Sequence, residues 1–166
     1  MLIHATQCLV QVQPALTVLI IGDGPLATEL RQLTDRLGLG NSIRFLGART
    51  DVPTLNRLLD VFVLPSREEA CPMALLEAMA AGRAVVATHV SGIPEIVEQN
   101  VEGSLVPPDD SPALAQAILS LLTNPARRTA MGTAARQKVA ASFTRDRMVR
   151  ETLALYQRKS GQKTHE

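Results

Sequence analysis

Pro65-Ser66-Arg67-Glu68-Glu69-Ala70-Cys71-Pro72-Met73-Ala74-Leu75-Leu76-Glu77-Ala78-Met79-Ala80-Ala81-Gly82 decides the reading of this chain, because it sets two carboxylates, Glu69 and Glu77, eight residues apart across a strand-to-helix junction. The apolar run Val61-Phe62-Val63-Leu64 leads into it and Ala84-Val85-Val86-Ala87 follows it, and both read as buried strands. Glu69 then falls on a loop at a strand's carboxyl end, where open α/β sheets bind ligands. Pro72 and the apolar residues after it predict a helix over 73–81. Glu77 lies in its early turns, with a side chain that leans back toward the helix N-terminus. Both carboxylates are therefore expected to face one crevice.

The chemistry of such a crevice is specific. A carboxylate offers two acceptor oxygens and suits the vicinal hydroxyls of a ribose or hexose, while exposed N–H groups at residues 70 to 73 and the helix dipole suit a phosphate. Taken singly, Glu69 is an ordinary solvated loop residue and Glu77 an ordinary exposed helix residue. The combination is what carries weight: the Val63-Leu64-Pro65-Ser66 strand end, the trailing Ala80-Ala81-Gly82 with its Val85-Val86-Ala87 strand, and Gly92-Ile93-Pro94-Glu95 beyond.

Working outward, Leu16 to Ile21 is a short apolar run that ends at Gly22-Asp23-Gly24-Pro25, a strand turning into a helix. That helix is expected over 26–37, stopped by Gly38 or Gly40. Ser42 to Leu46 reads as a strand closed by Gly47, and Asp51 as the N-cap of a short helix to about Leu59. A strand over 60–64, the helix already described, a strand over 84–87 and a last strand Gly103–Val106 before Pro107-Pro108 complete the alternation. Three helices follow, opened by Ser111-Pro112, by Asn124-Pro125 and by Thr144 or Asp146, the last running to about Arg158. The fold class expected is α/β: a Rossmann-like parallel sheet with flanking helices and right-handed crossovers, a helical C-terminus, one domain over 1–158 and a frayed tail over 159–166.

Composition removes several functions. A formal charge of +1 over 166 residues gives no reason to invoke nucleic acid. Phe45, Phe62, Phe143 and Tyr156 are too few and too scattered to stack single-stranded bases, so the core must be aliphatic. Cys8 and Cys71 do not make a disulfide framework, and no Cys/His spacing suggests a metal site. Gln7, Gln11 and Gln13 interrupt the first residues, which do not read as a signal peptide, and no run reaches the roughly 20 apolar residues of a membrane span. A reducing cytoplasm is the expected location.

The stretch from Glu69 to Gly82 resembles the Glu-x7-Glu motif of retaining GT-B glycosyltransferases of the family 4 type, with its trailing Leu-Glu-Ala-Met-Ala-x-Gly. The resemblance extends from about residue 2 to 158 and matches the C-terminal, donor-binding half of such enzymes, with Gly22-Asp23-Gly24-Pro25, Phe45-Leu46-Gly47, Asp60 to Ser66 and Gly92-Ile93-Pro94-Glu95 in family order. It implies transfer of a sugar from a nucleotide diphosphate to an acceptor with retention and without a metal or other cofactor, in glycan, polysaccharide or glycolipid synthesis. By the same resemblance Glu69 is the catalytic-site residue that orients the transferred sugar, and Glu77 binds the donor ribose. Gly22 and Gly24, Leu46 and Gly47, and Ala70, Cys71, Met73 and Ala74 would contact the rest of the donor.

Two departures stand against the pattern. Ala70-Cys71-Pro72 replaces a Gly-containing run, Pro72 has no N–H to offer, and Ala at position 70 requires a negative φ. The family's first strand, its loop with a basic Arg and Lys, and the acceptor domain before it have no counterpart here; Met1 is expected to fall in the helix after that strand. The strands at 16–21 and 60–64 are then expected either to pair directly or to leave a weak seam. Among residues of mixed reading, Arg49 and Arg67 are read as surface charges, Cys71 as a packing residue, and Arg127-Arg128 and Arg145-Asp146-Arg147 as solvated helix faces. The leading function is a donor domain that works only with an acceptor domain or subunit, leaving room for peripheral membrane contact through the fuller enzyme. The alternative is a non-catalytic nucleotide-sugar-binding or scaffold module.

Overall fold

The structure, a computed structural model, describes residues 1–161. In chain order it contains α1 (Leu2–Val12), β1 (Val18–Ile21), α2 (Ala27–Arg36), β2 (Ile43–Gly47), α3 (Val52–Leu58), β3 (Val61–Leu64), α4 (Met73–Ala80), β4 (Ala84–Thr88), α5 (Ile93–Ile96), β5 (Gly103–Val106), α6 (Ser111–Leu122), α7 (Pro125–Ser142) and α8 (Arg145–Gly161). The expected α/β alternation is present, with every ladder parallel. The helix α8 continues three residues past the expected Arg158, and the rest of the expected tail, 162–166, lies outside the described residues.

β4 carries the core. It is hydrogen-bonded to β3 on one side and β5 on the other, and all five of its residues are buried. Its alternation divides the helices between two faces. Ala84 and Val86 point to a cluster built from α1 and α6, with Ala5, Leu9, Leu114 and Leu121. Val85 and Ala87 point to one built from α4, α5 and α7, with Leu75, Met79, Ile93 and Ala135. Both clusters are aliphatic, as the composition requires. A third cluster, Ile3, Leu39 and Ile43, joins α1 and the end of α2 to the β1–β2 pair. Helix α1 thus spans the two halves.

The halves are not joined by a ladder. Among the described residues β1 pairs only with β2, and β3 only with β4, so the five strands form a two-stranded and a three-stranded sheet. Of the two expected outcomes for β1 and β3, direct closure does not occur and the seam does. All four residues of each of these strands remain half-exposed.

Several local expectations need correction. Asp51 precedes α3 but its carboxylate does not cap the helix; the Arg49 guanidinium takes it in a fork of 2.7 and 2.8 Å, a stronger pairing than a cap. Arg128 is no solvated face residue: it donates to the carbonyls of Leu121 and Leu122, closing the C-terminus of α6, and pairs with Asp60 at 3.1 Å. The Gly92-Ile93-Pro94-Glu95 segment, read only as a motif, begins the short helix α5. Ser111-Pro112 opens α6 as expected, with Asp110 capping it through a bond from the Ala113 N–H, and Asn124-Pro125 opens α7, with Asn124 accepting from the Arg127 N–H. The buried Glu102 accepts from the Glu98 N–H and pairs with Lys138 of α7 at 3.3 Å, tying that helix to the turn before β5. No described helix is long and apolar enough to cross a membrane.

Candidate functional site

The carboxyl ends of the strands gather most of the expected residues. β1 ends at Gly22 (φ +119°) and β2 at Gly47 (φ +66°), backbone values that favour glycine. A register shift between Ile20 and Ile21 sets Ile21 opposite Gly47, and the Gly22 N–H then donates to the Gly47 carbonyl at 2.8 Å. The Gly22 and Leu46-Gly47 segments are therefore one structural unit. Gly24 continues it as an exposed turn in which the Asp23 carboxylate accepts from the Gly24 N–H.

The N-terminus of α4 is the next part of the site. Leu75 and Leu76 both donate to the Pro72 carbonyl, so the N–H groups of Met73 and Ala74 precede the first helical bonds and have no helical acceptor. Met73, Ala74 and Glu77 are exposed on this end of the helix. Gly22, Ala48, Ala74 and Glu77 line the mouth of one cavity of about 1290 Å³. Glu77 thus shares this cavity with Gly22, with the N–H groups of Met73 and Ala74 close by in sequence.

Glu69 is held differently. It is absent from the lining of that cavity and sits half-buried on the adjacent loop, where its Oε1 accepts from the Ser66 hydroxyl at 2.8 Å. Of the two carboxylates expected to share one crevice, the structure therefore places only Glu77 on this cavity. The bond from Ser66 occupies one Glu69 oxygen and leaves the other to accept from a ligand. Ala70 is not among the residues with positive φ, so the replacement of Gly there is conformationally free. Cys71 is exposed beside it, which corrects the expectation of a packing role.

Two contacts that the sequence did not suggest fix this loop. Thr88, at the end of β4 and fully buried, donates its hydroxyl to the Ser66 carbonyl, with the Leu64 carbonyl at 3.4 Å. The Gly92 N–H donates to the Glu69 carbonyl at 3.0 Å, and the Gly92 Cα lies against the Ala70 carbonyl with no room for a Cβ. The loop is clamped between the ends of β4 and α5. Thr88→Val keeps the shape but orphans the Ser66 carbonyl, at a cost of about 1–3 kcal/mol. A fall in Tm together with weaker ligand binding is the expected result, because Ser66 is what orients Glu69.

The nearby arginines are paired, as their surface reading implied. Arg67 bonds to Asp109 at 3.1 Å, with both side chains exposed. The hydrogen bond from Arg49 holds the Asp51 carboxyl below the ordinary carboxylate range, and the same bond raises Arg49. With the Asp51 value lowered, the pair persists through neutral pH and is lost only as acid takes the pH down through that lowered value. Arg49 lines the cavity mouth with its charge already matched.

With this geometry in hand, likeness to known proteins is informative. The family profile described as glycosyl transferases group 1 matches residues 1–124. The chain is similar to the D-inositol 3-phosphate glycosyltransferase of Salinispora tropica, 36% identical over 167 residues, which covers 93% of this chain and 34% of that protein. It is also similar to the N-acetyl-alpha-D-glucosaminyl L-malate synthase of Bacillus anthracis, 32% identical over 139 residues, covering 84% of this chain and 36% of that one. Among solved structures, Anabaena HepE in complex with UDP superimposes with a TM-score of 0.84 at 31% identity, over 92% of this chain and 44% of that one. The C-terminal domain of the group 1 glycosyl transferase LpcC from Francisella tularensis does so with a TM-score of 0.78 at 29% identity, over 86% and 77%. The chain spans about a third of the length of these curated relatives.

Proposed function

The chain belongs to the group 1 glycosyl transferases, and from that premise we propose that it is the donor-binding domain of a retaining glycosyltransferase, taking a nucleotide-diphosphate sugar. The observation that carries the reading is that Glu77, Ala74 at the start of α4 and Gly22 at the end of β1 line one cavity, with Gly47 bonded to Gly22 beside it. Glu77 accepts from the ribose hydroxyls, and the N–H groups of Met73 and Ala74 donate to the diphosphate at the positive end of the helix. The base lies along Leu46-Gly47 and Ala48. The free oxygen of Glu69 accepts from a hydroxyl of the sugar and sets its orientation.

In the reaction, the bond from the anomeric carbon to the diphosphate breaks and the electron pair leaves with the phosphate. An acceptor oxygen forms the new bond and gives up its proton to the departing phosphate. Negative charge grows on the leaving phosphate, so groups aimed there speed the step. This chain contributes helix N–H groups and no metal in the proposal. Its two strand-end arginines are engaged with Asp51 and Asp109, so further positive charge is assigned to the acceptor domain or to a longer chain. The same pairing favours the second reading for the domain on its own, binding without turnover. HepE has been seen with UDP and with UDP-glucose, which supports a uridine donor as the first choice.

Calorimetric titration with UDP-glucose, GDP-mannose and ADP-glucose tests the assignment. One nucleotide is expected to bind with Kd below about 1 mM, which corresponds to about −4 kcal/mol, and the others tenfold or more weakly. A folded chain that binds none of the three contradicts the proposal for this domain.

A further inference from the structure

A second cavity, of about 620 Å³, opens at the amino ends of β3 and β4. Asp60, just before β3, and Ala84, the first residue of β4, line it together with one face of α7. Asp60 and Arg128 also border the cavity described above, whereas Arg83 and Arg136 line this one alone. Local structure sets the walls. Gly82 (φ +74°) ends α4, its N–H bonded to the Met79 carbonyl and the Arg83 N–H to that of Ala78, a paired closure that glycine permits. The Arg83 side chain is then held by two carbonyls, Nε on Ala81 at 3.3 Å and Nη1 on Leu59 at 2.9 Å. A Cβ on Gly132 would have no room against the Gly82 carbonyl, so α7 sits on this turn main chain to main chain. Thr129, Thr133, Arg136 and Gln137, three or four residues apart along α7, share the face that lines the cavity.

The charges in this cavity do not balance. Three guanidinium groups, of Arg83, Arg128 and Arg136, meet the single carboxylate of Asp60, a net of two positive charges. The negative end of α4 offsets only about half a charge. Asp60 is engaged by Arg128 at 3.1 Å. Arg83 is half-buried, yet among the described residues it bonds only to carbonyls and pairs with no carboxylate. Arg136 is exposed and bonds to none of the described residues. α7 itself adds no compensation, since it carries Arg127, Arg128, Arg136 and Lys138 and no acidic residue. A charge drawn partly out of water without a counter-ion costs folding energy, so the cavity suits an anion from outside the chain.

The chemistry narrows the anion. A phosphate monoester carries nearly two negative charges at neutral pH and matches the net charge, where a carboxylate meets half of it. Guanidinium forks fit its oxygens. The Thr129 hydroxyl and the Gln137 carboxamide, on the same helix face, suit hydroxyl groups on the body that bears the phosphate. The volume is in the range of small-molecule sites and exceeds what a bare phosphate needs. We propose that this cavity binds a phosphate monoester of a small polyhydroxylated molecule, with Arg83 and Arg136 on the phosphate and Thr129 and Gln137 on the hydroxyls. The site is at the opposite end of α4 from Met73 and Ala74, and the proposal holds whatever nucleotide the donor cavity takes.

Backbone amide shifts on titration with sorbitol 6-phosphate test it, an open-chain probe that lacks the ring diol assigned to Glu77. Shifts are expected at Gly82, Arg83, Thr129, Thr133 and Arg136, with Kd below about 1 mM, inorganic phosphate about tenfold weaker and sorbitol without effect. Arg136→Gln is expected to weaken binding about tenfold or more with Tm within about 2 °C of the parent, because the side chain is exposed and unbonded. Arg136→Lys restores part of the affinity, Arg83→Gln weakens it as well, and Glu77→Ala leaves it unchanged. Unaltered affinity in both Arg136→Gln and Arg83→Gln overturns the site, as does a spectrum unmoved at about 10 mM probe, tenfold above the expected Kd. Shifts confined to residues 70–74 place the phosphate at the start of α4 and overturn it too. Phosphatidylcholine vesicles containing phosphatidic acid present the same monoester on a lipid. Sedimentation with them that Arg136→Gln abolishes, while sorbitol 6-phosphate has no effect, moves the phosphate to a membrane and overturns the soluble ligand.

Discussion

Glu77→Ala is expected to weaken donor binding by about 100-fold or more while leaving Tm within about 2 °C of the parent. The side chain is exposed on α4 and no hydrogen bond engages it in the described structure, so little folding energy depends on it. A ribose with two vicinal hydroxyls offers it two charge-assisted bonds, each of about 1.5–3 kcal/mol. Removing both accounts for at least two decades in Kd. Glu77→Gln keeps one acceptor and trades the other for a donor, so an intermediate loss is expected. Calorimetry beside a thermal melt separates the two quantities. An unchanged Kd in Glu77→Ala would remove the ribose from this carboxylate and, with it, the orientation assigned to the donor.

Gly92→Ala acts on the other carboxylate from a distance. A Cβ at position 92 would collide with the Ala70 carbonyl, main chain against main chain, with no flexible side chain to give way. The loop must move, and in moving it loses the bond from the Gly92 N–H to the Glu69 carbonyl. Overpacking of this kind costs about 1–3 kcal/mol. The corresponding Tm loss is about 2–12 °C for a domain of this size. The larger effect is expected on function: Glu69 and the Ala70 and Cys71 N–H groups all shift together, and sugar transfer by the complete enzyme falls further than binding of UDP alone. If transfer and UDP affinity both survive Gly92→Ala, the loop is not the rigid platform that Gly92 and Thr88 imply.

The sequence disclosed the parts of this protein that depend on neighbours along the chain. Val61–Leu64, Ala84–Thr88 and the helix between them were legible because apolar runs, Pro72 and Gly82 sit at fixed local offsets. The Glu69–Glu77 spacing marked the strand-to-helix junction for the same reason. What depends on distant partners was not legible. Thr88 meets Ser66 from 22 residues away, and Gly92 meets Ala70 from the far side of β4; neither residue type announces its partner. Asn56, in Leu55-Asn56-Arg57, reads as one more polar position on a surface helix, and only the fold shows it buried. Asp51 illustrates the competition between local and near-local pairing, since a guanidinium two residues back outbids the helix N-terminus. The seam between β1 and β3 was foreseen as one of two outcomes, and sheet topology, which no local pattern encodes, decided between them.

The central assignment is that a nucleoside diphosphate sits on the N-terminus of α4 and the strand-end turns facing it. Backbone amide shifts on titration with UDP measure this directly. The largest changes are expected at Ala70, Cys71, Met73 and Ala74 and at Gly22, Gly24 and Gly47, with α7 and α8 silent. Changes that spare residues 70–74 and cluster elsewhere, or a spectrum unmoved at millimolar UDP, would contradict it.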